Sequence, residues 1–284
     1  MKTEYLKLII EKTFHKIKIK DFYLLGSGLF GYACLVNNEI VFKIPKKIET
    51  NKDQLKEVQV LEFLKGKLDI QTPEILCHAM SDDGKYIIGE TLLDGVCYNQ
   101  EMHDSFPEET KNKILQQLGH IMRNLHDING EPLPGRKIST YQDSIKFFNE
   151  CHDKVKMMFS KDENNKLDKI VKDYEKLSIE HPVLPVPCHS DLMFYNLMFD
   201  KKTLKISGLI DFGAFQYAEP AKDMHYYWGS GAEEIIKGYG DNGDKYLPKR
   251  QSFHTVSNLL SNLCESKGDK ESLEHNIKTI QNYL

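Results

Sequence analysis

The sequence has few of the features that would place it in a secreted, membrane or nucleic-acid-binding class. Its six cysteines, Cys34, Cys77, Cys97, Cys151, Cys188 and Cys264, lie far apart and form no C-x-x-C pair. That argues against a zinc ribbon and against a disulfide-stapled secreted domain. No apolar run approaches the roughly 20 residues needed to span a bilayer. The stretch from Met1 to Phe14 is interrupted by Lys2, Glu4, Lys7, Glu11 and Lys12, so it lacks the apolar core of a signal peptide. Charge of one sign is also scarce: 38 Lys and Arg against 42 Asp and Glu leave a net −4. This withholds the basic footprint that binding to nucleic-acid phosphates demands, and favours cationic partners if any. Internal repeats and low-complexity linkers are missing. The expectation is a soluble, cytoplasmic protein with neither nucleic acid nor membrane as partner, its oligomeric state left open.

What is present is an ordinary globular composition: 284 residues, 40% hydrophobic and 28% charged. That length makes one large domain or two modest ones. The first ninety residues alternate turn signals with β-rich runs. Phe22 to Leu25 leads into a glycine cluster. Tyr32 to Val36 and Ile40 to Ile44 read as strands joined at Asn37-Asn38, a hairpin turn. Residues 53–68 read as a helix with Leu61, Leu64 and Leu68 on one stripe. Glu57 falls on that same stripe, where a carboxylate is costly unless paired, so it should have a cationic partner. Tyr86 to Ile88 reads as a further strand. The alternating stretch His15 to Lys20 resembles an edge strand guarded by lysines.

Beyond residue 92 the chain turns helical. Ser105 with Glu108 is a capping-box signature, with Pro107 in the first turn. Ile114, Leu118, Ile121 and Leu125 recur at helical spacing, and two more helical patterns fill 142–180, split near Ser160 to Asn164. Short strands at Leu197 to Phe199 and Leu204 to Ile210 flank a turn, and the tail from Glu233 is helical again. The expected organisation is a β-rich lobe, residues 1–92, and a helical lobe, residues 93–284, with a cleft between them.

Three constellations carry chemistry. Gly26-Ser27-Gly28-Leu29-Phe30-Gly31 has the spacing of a dinucleotide fingerprint, but a strand follows it where that fingerprint needs a helix. A glycine loop between antiparallel strands, with Lys43 on the next strand, is instead the arrangement that covers nucleotide phosphates in kinases. Gly26, Ser27, Gly28 and Gly31 would let backbone N–H groups approach phosphate oxygens. An ordinary glycine-rich hairpin is the plainer alternative. Lys43 in an apolar strand and Glu57 on an apolar stripe are each awkward alone, and pairing resolves both, with the lysine turned to the nucleotide phosphates. The base would lie against the connector near Glu90 to Leu92.

The third constellation is His189-Ser190-Asp191-Leu192-Met193-Phe194-Tyr195-Asn196, followed fifteen residues later by Asp211-Phe212-Gly213. Phosphoryl transfer needs an acceptor carboxylate beside the attacking hydroxyl, and oxygen ligands for magnesium. Asp191 supplies the first; Asn196 and Asp211 supply the second. His189 orients the loop.

With these motifs in hand, nearly the whole chain resembles the aminoglycoside phosphotransferase family, within the protein-kinase-like superfamily. That family's catalytic loop typically reads H-G-D-x-x-x-x-N, here H-S-D-L-M-F-Y-N, and its metal motif is matched by Ile210-Asp211-Phe212-Gly213. Leu118 to His126 resembles its L-x-x-L-H segment, and Glu219-Pro220-Ala221-Lys222-Asp223 its D-P-x-x-D element. The spacing from Asp211 to Asp223 is closest to enzymes modifying the 2″-hydroxyl of aminoglycosides. The resemblance implies a bilobal α+β kinase-like fold, a magnesium ion with ATP or GTP as co-substrate, and a small, polycationic acceptor. Ser190 departs from the usual glycine and Glu219 from the usual aspartate; neither touches Asp191, Asn196 or Asp211. A protein kinase is disfavoured: Ser190 stands where an arginine is expected, and Ala218-Glu219-Pro220 follows Gly213 too closely to leave room for an activation segment.

Acid concentrated after Asp211, with Asp223, Glu233 and Glu234 foremost, offers carboxylates to a polycation. Tyr226, Tyr227 and Trp228 offer an aromatic wall for a quaternary ammonium as in choline kinases, or plain core. A kinase of choline, a sugar or a metabolite, and a nucleotide-binding regulator without turnover, remain alternative readings.

Overall fold

The computed structural model describes residues 2–28, 30–130, 132–266 and 269–284; Leu29 of the glycine loop lies outside them. In chain order the elements are α1 (Lys2–Thr13), β1 (Phe22–Ser27), β2 (Gly31–Val36), β3 (Ile40–Pro45), α2 (Asn51–Leu64), β4 (Ile75–Met80), β5 (Tyr86–Thr91), β6 (Val96–Cys97), α3 (Gln100–Asp104), α4 (Glu108–His126), α5 (Tyr141–Val155), α6 (Lys161–Glu180), β7 (Val186–Cys188), β8 (Leu197–Asp200), β9 (Lys205–Leu209), β10 (Gln216–Ala218), α7 (Ser230–Tyr239), α8 (Leu247–Glu265) and α9 (Lys270–Gln281). They form two compact units: residues 1–103 with 194–215, and residues 104–193 with 216–284.

The first unit is built on an antiparallel sheet of order β1-β2-β3-β5-β4. Asn37 and Asn38 turn β2 into β3 with φ of +54° and +57°, a left-handed conformation that asparagine tolerates, and Val36 pairs with Ile40 across the three-residue turn. Leu6, Ile9 and Ile10 of α1 bury against Cys34, Val36, Phe42, Ile44 and Ile87 of the sheet; the sequence reading assigned no element to that first helix. A second small sheet pairs β6 with β8 and β8 with β9. Two expectations change here. The second helix runs from Asn51 to Leu64 and not to Leu68, because Gly66 takes φ +69° and turns the chain out of the helix. The stretch His15 to Lys20 forms no strand: Ile17 and Ile19 pack onto the α1 core instead, which explains the alternation without sheet pairing.

In the second unit, α4 and α7 meet at two glycines. A Cβ on Gly119 would lie 2.0 Å from the carbonyl oxygen of Ile235, and one on Gly238 would lie 1.9 Å from that of Gln116. Only backbones without side chains cross this closely. Helices α5, α6, α8 and α9 pack around Phe148, Leu167, Tyr174, Phe253, Leu259 and Ile280. The helix does not start at Ser105, where the capping box was expected. Pro107 is the N-cap of α4, with no side-chain cap; capping boxes occur instead at Thr140 with Asp143 and at Ser160 with Glu163. Arg250 is wholly buried and binds Asp244 Oδ2 at 2.9 Å and Glu219 Oε2 at 3.1 Å. Among the described residues no helix is long and apolar enough to cross a membrane.

Candidate active site

The sheet unit gathers one group of predicted residues. Lys43 on β3 reaches across to α2, where its Nζ lies 2.5 Å from Glu57 Oε1. Glu57 lies on the buried face of its helix, 2% exposed, so each member satisfies the other. Asp211 Oδ1 stands 3.5 Å from the same ammonium, and Glu90 Oε1 on β5 stands 3.9 Å from it. Glu57 Oε1 also accepts the N–H of Phe212 at 3.1 Å, tying the helix to the residue beyond Asp211. Burial opposes the charge of Lys43, but Glu57, Glu90 and Asp211 together overcome it and hold the ammonium above its usual range. Burial pushes the Glu90 carboxyl up to about 8, against the pull of Lys43. Its Oε2 is buried with no hydrogen-bond partner. Placing the Glu90 side chain beside Lys43 was not foreseen; the strand register, Val41 opposite Glu90, is what turns it there. Leu92, expected beside the base, is exposed, and its N–H bonds the Glu39 carbonyl at 3.1 Å.

The glycine loop divides by cause. Gly31 is demanded by the sheet, since a Cβ there would lie 2.9 Å from the Ile44 carbonyl oxygen. At Gly26 and Gly28 a Cβ would meet nothing within 4 Å among the described residues, so internal packing does not demand glycine at either position. Ser27 pairs with Tyr32 at the end of β1, and the Lys46 ammonium donates to the Gly28 carbonyl.

Asn196 and Asp211 come together through the β8–β9 hairpin, where the Ile210 N–H bonds the Asn196 carbonyl at 3.0 Å. Asp211 has φ +66°, a left-handed conformation unusual for a residue with a side chain. Its carboxylate is half-exposed. An amide oxygen and a carboxylate are the hard donors that magnesium takes, so this pair fits that ion.

The helical unit holds Asp191 on a loop that is clamped residue by residue. Asp223, fully buried, accepts the N–H of His189 at 3.0 Å and of Ser190 at 2.6 Å. The Tyr226 hydroxyl donates to Asp191 Oδ1 at 3.0 Å, and that of Tyr227 donates to the Leu192 carbonyl at 2.7 Å. His189 Nδ1 accepts the Asp191 N–H at 3.3 Å. One short segment thus fixes four successive residues. Ser190 sits at φ +67°, which is why a glycine suits this position in the resembling family; its Oγ accepts from Gln216 Nε2 at 3.0 Å.

Asp223 therefore needs correction as an acceptor-binding residue. Its carboxylate is spent on the loop backbone and on His126, whose Nε2 lies 3.0 Å away. Burial would raise its pKa, but the His126 hydrogen bond and charge outweigh this and hold it low. His126 is in turn held by Tyr239 at 2.9 Å. The L-x-x-L-H pattern pointed to His126 and the D-P-x-x-D pattern to Asp223, but nothing in sequence paired them. Burial pushes the nearby Cys188 thiol well up, leaving it neutral. Glu233 is exposed on the first turn of α7. Glu234 is tied to Gln116 and lies 3.6 Å from Lys237. The three aromatics expected as one wall separate: Tyr227 is core, Tyr226 serves Asp191, and Trp228 is exposed.

A sequence profile of the Phosphotransferase enzyme family (APH) matches residues 25–250. The chain belongs to this family. Solved structures agree on the fold. The GDP and kanamycin complex of APH(2″)-IIIa shares 21% identity over 98% of both chains, with a TM-score of 0.82. The streptomycin–ATP ternary complex of APH(2″)-IIa shares 18% over 99% of this chain and 96% of that one, at 0.71. Macrolide 2′-phosphotransferase MphH from Brachybacterium faecium, as apoenzyme, shares 15% over 98% and 97%, at 0.72. Like other phosphotransferases of this family, the protein is a small-molecule kinase with the α+β kinase-like fold.

Proposed function

We propose that this phosphotransferase moves the γ-phosphoryl group of ATP or GTP to a hydroxyl of a small, cationic acceptor, with an aminoglycoside as the first candidate. The observation that carries the reading is the meeting of residues 43, 57 and 211 around one ammonium, a convergence that nucleotide phosphates and their metal require. On this reading residues 1–92 form the nucleotide lobe and 93–284 the lobe carrying catalysis and acceptor. The loop from Gly26 to Gly31 covers the phosphates, Lys43 holds them, and Glu57 holds Lys43. Glu90 and Leu92 flank the base. Asn196 and Asp211 hold magnesium, which would neutralise charge on the β- and γ-phosphate oxygens. Asp191 orients the acceptor hydroxyl and takes its proton.

The acceptor class rests on kinship and charge. APH(2″)-IIIa and APH(2″)-IIa are described in complex with kanamycin, streptomycin and gentamicin. Glu233, exposed on α7, is the carboxylate best placed to meet an ammonium group, with Glu234 beside it. A macrolide is the second reading, favoured by the likeness to MphH. A coupled assay with ATP and with GTP, over panels of aminoglycosides and macrolides and with choline and sugars as controls, decides among them. Turnover with choline or a sugar alone overturns the antibiotic reading. Asp191→Ala should abolish transfer while nucleotide still binds, and Asp211→Ala should remove the magnesium dependence of nucleotide binding.

A further inference from the structure

The acceptor hydroxyl must approach the Asp191 carboxylate within hydrogen-bond distance to lose its proton. A hydroxyl of the protein already sits there. The Tyr226 phenol donates to Asp191 Oδ1 at 3.0 Å. Its ring lies against that of His225, centroids 3.8 Å apart. The backbone is fixed on both sides, by Asp223 on the loop N–H groups and by Tyr227 on the Leu192 carbonyl. The phenol therefore reaches Asp191 from a rigid segment, and its partner is the one carboxylate of the loop that transfer needs free. A tyrosine that merely braced the loop would bond its backbone, as Tyr227 does.

We infer that Tyr226 is a positioning residue that holds the acceptor's station at Asp191 Oδ1, occupying that oxygen in place of water until an acceptor displaces the phenol. This rests on Asp191 being the proton acceptor. Water is the competing nucleophile. If it reached that station, Asp191 would take one of its protons, the oxygen would bond to the γ-phosphorus, and the bond to the β–γ bridging oxygen would break, leaving nucleoside diphosphate and phosphate. An acceptor replaces the phenol with its own hydroxyl and donates the same hydrogen bond.

The test measures nucleoside triphosphate hydrolysis without acceptor, and transfer with it, in wild type and Tyr226→Phe. Phenylalanine keeps the ring against His225 and removes only the donor. A hydrogen bond to a charged group is worth about tenfold or more. Tyr226→Phe should therefore raise acceptor-free hydrolysis about tenfold and lower the KM for acceptor, because nothing has to be displaced. A purely structural or orienting tyrosine gives the opposite: hydrolysis and transfer fall together, and that result overturns the inference. Unchanged hydrolysis overturns it too, as does phosphate found on Tyr226 by mass spectrometry of wild type incubated with nucleotide and magnesium, since the phenol would then be an acceptor. Tyr226→Leu serves as a second variant, with a thermal melt on each to verify folding. Asp191→Ala separates the two layers. Transfer surviving in Asp191→Ala removes the proton-acceptor reading itself, whereas an inert Asp191→Ala beside unchanged hydrolysis in Tyr226→Phe removes only the guard.

Discussion

Replacing Gly119 by alanine tests the packing of α4 against α7, the helices that carry His126 and Tyr239. The new Cβ would lie 2.0 Å from the Ile235 carbonyl oxygen, 2.7 Å from the Tyr239 nitrogen and 3.0 Å from the Gly238 carbonyl carbon. All three are backbone atoms of α7, so no side chain can swing away. Ordinary contact needs about 3.5 Å, and α4 must therefore retreat from α7 by more than about 1 Å. Overpacking of this kind costs roughly 1–3 kcal/mol or more, against a gain of about 1 kcal/mol from replacing glycine in a helix. With backbone atoms on both sides of the clash the cost lies at the upper end, so the expected net loss is about 2 kcal/mol or more, read as a lower denaturant midpoint. Activity should suffer beyond stability, because α4 carries His126 and α7 carries Tyr239, which together hold Asp223. Gly231→Ala is the control. Its Cβ would meet only Leu115 Cδ1, at 3.8 Å, so the propensity gain should prevail and stability rise. Equal midpoints for the two variants would refute the backbone-crossing argument.

Other expectations concern single side chains. Asp223→Asn puts amide hydrogens against the N–H groups of His189 and Ser190 and should cost roughly 3 kcal/mol; kcat should fall far more than nucleotide affinity, measured by titration. Glu90 carries a raised folded pKa of about 8 against 4.5 for the free side chain, so the folded state holds its proton more tightly. Its contribution to stability is full below about pH 4.5 and is lost as pH rises through about 8. Melting curves of wild type and Glu90→Gln should therefore diverge with rising pH, in favour of the variant. Ser190→Gly relieves a left-handed serine worth about 1 kcal/mol while surrendering the Gln216 bond; denaturant unfolding should show stability equal or slightly higher.

Local pattern made much of this legible in advance. The β2–β3 hairpin announced itself through paired asparagines between β-rich runs, and α4 through Ile114, Leu118, Ile121 and Leu125. Glu57 was predicted to need a cation because period alone placed it on an apolar stripe. The contribution of Glu90 was hidden, since only strand register reveals which face of β5 carries it. Asp223 was expected to meet an acceptor because composition cannot tell a carboxylate offered to a ligand from one consumed by backbone N–H groups. The same limit applies to Tyr226 and Tyr227. They are adjacent in sequence, yet one bonds the Asp191 carboxylate and the other a main-chain carbonyl.

The division of the chain also bears on how the protein is made. The sheet unit is assembled from two distant stretches, residues 1–103 and 194–215, and β6 pairs with β8, a strand from the later one. On the ribosome, β6 emerges long before its partner and must wait while the first part of the helical unit is synthesised. Pairings across such sequence separations form late and leave edges exposed meanwhile. Asn196, which immediately precedes β8, and Asp211, which follows β9, are among those late arrivals, so a nascent chain should acquire its first apolar core well before Asp211 can reach Lys43.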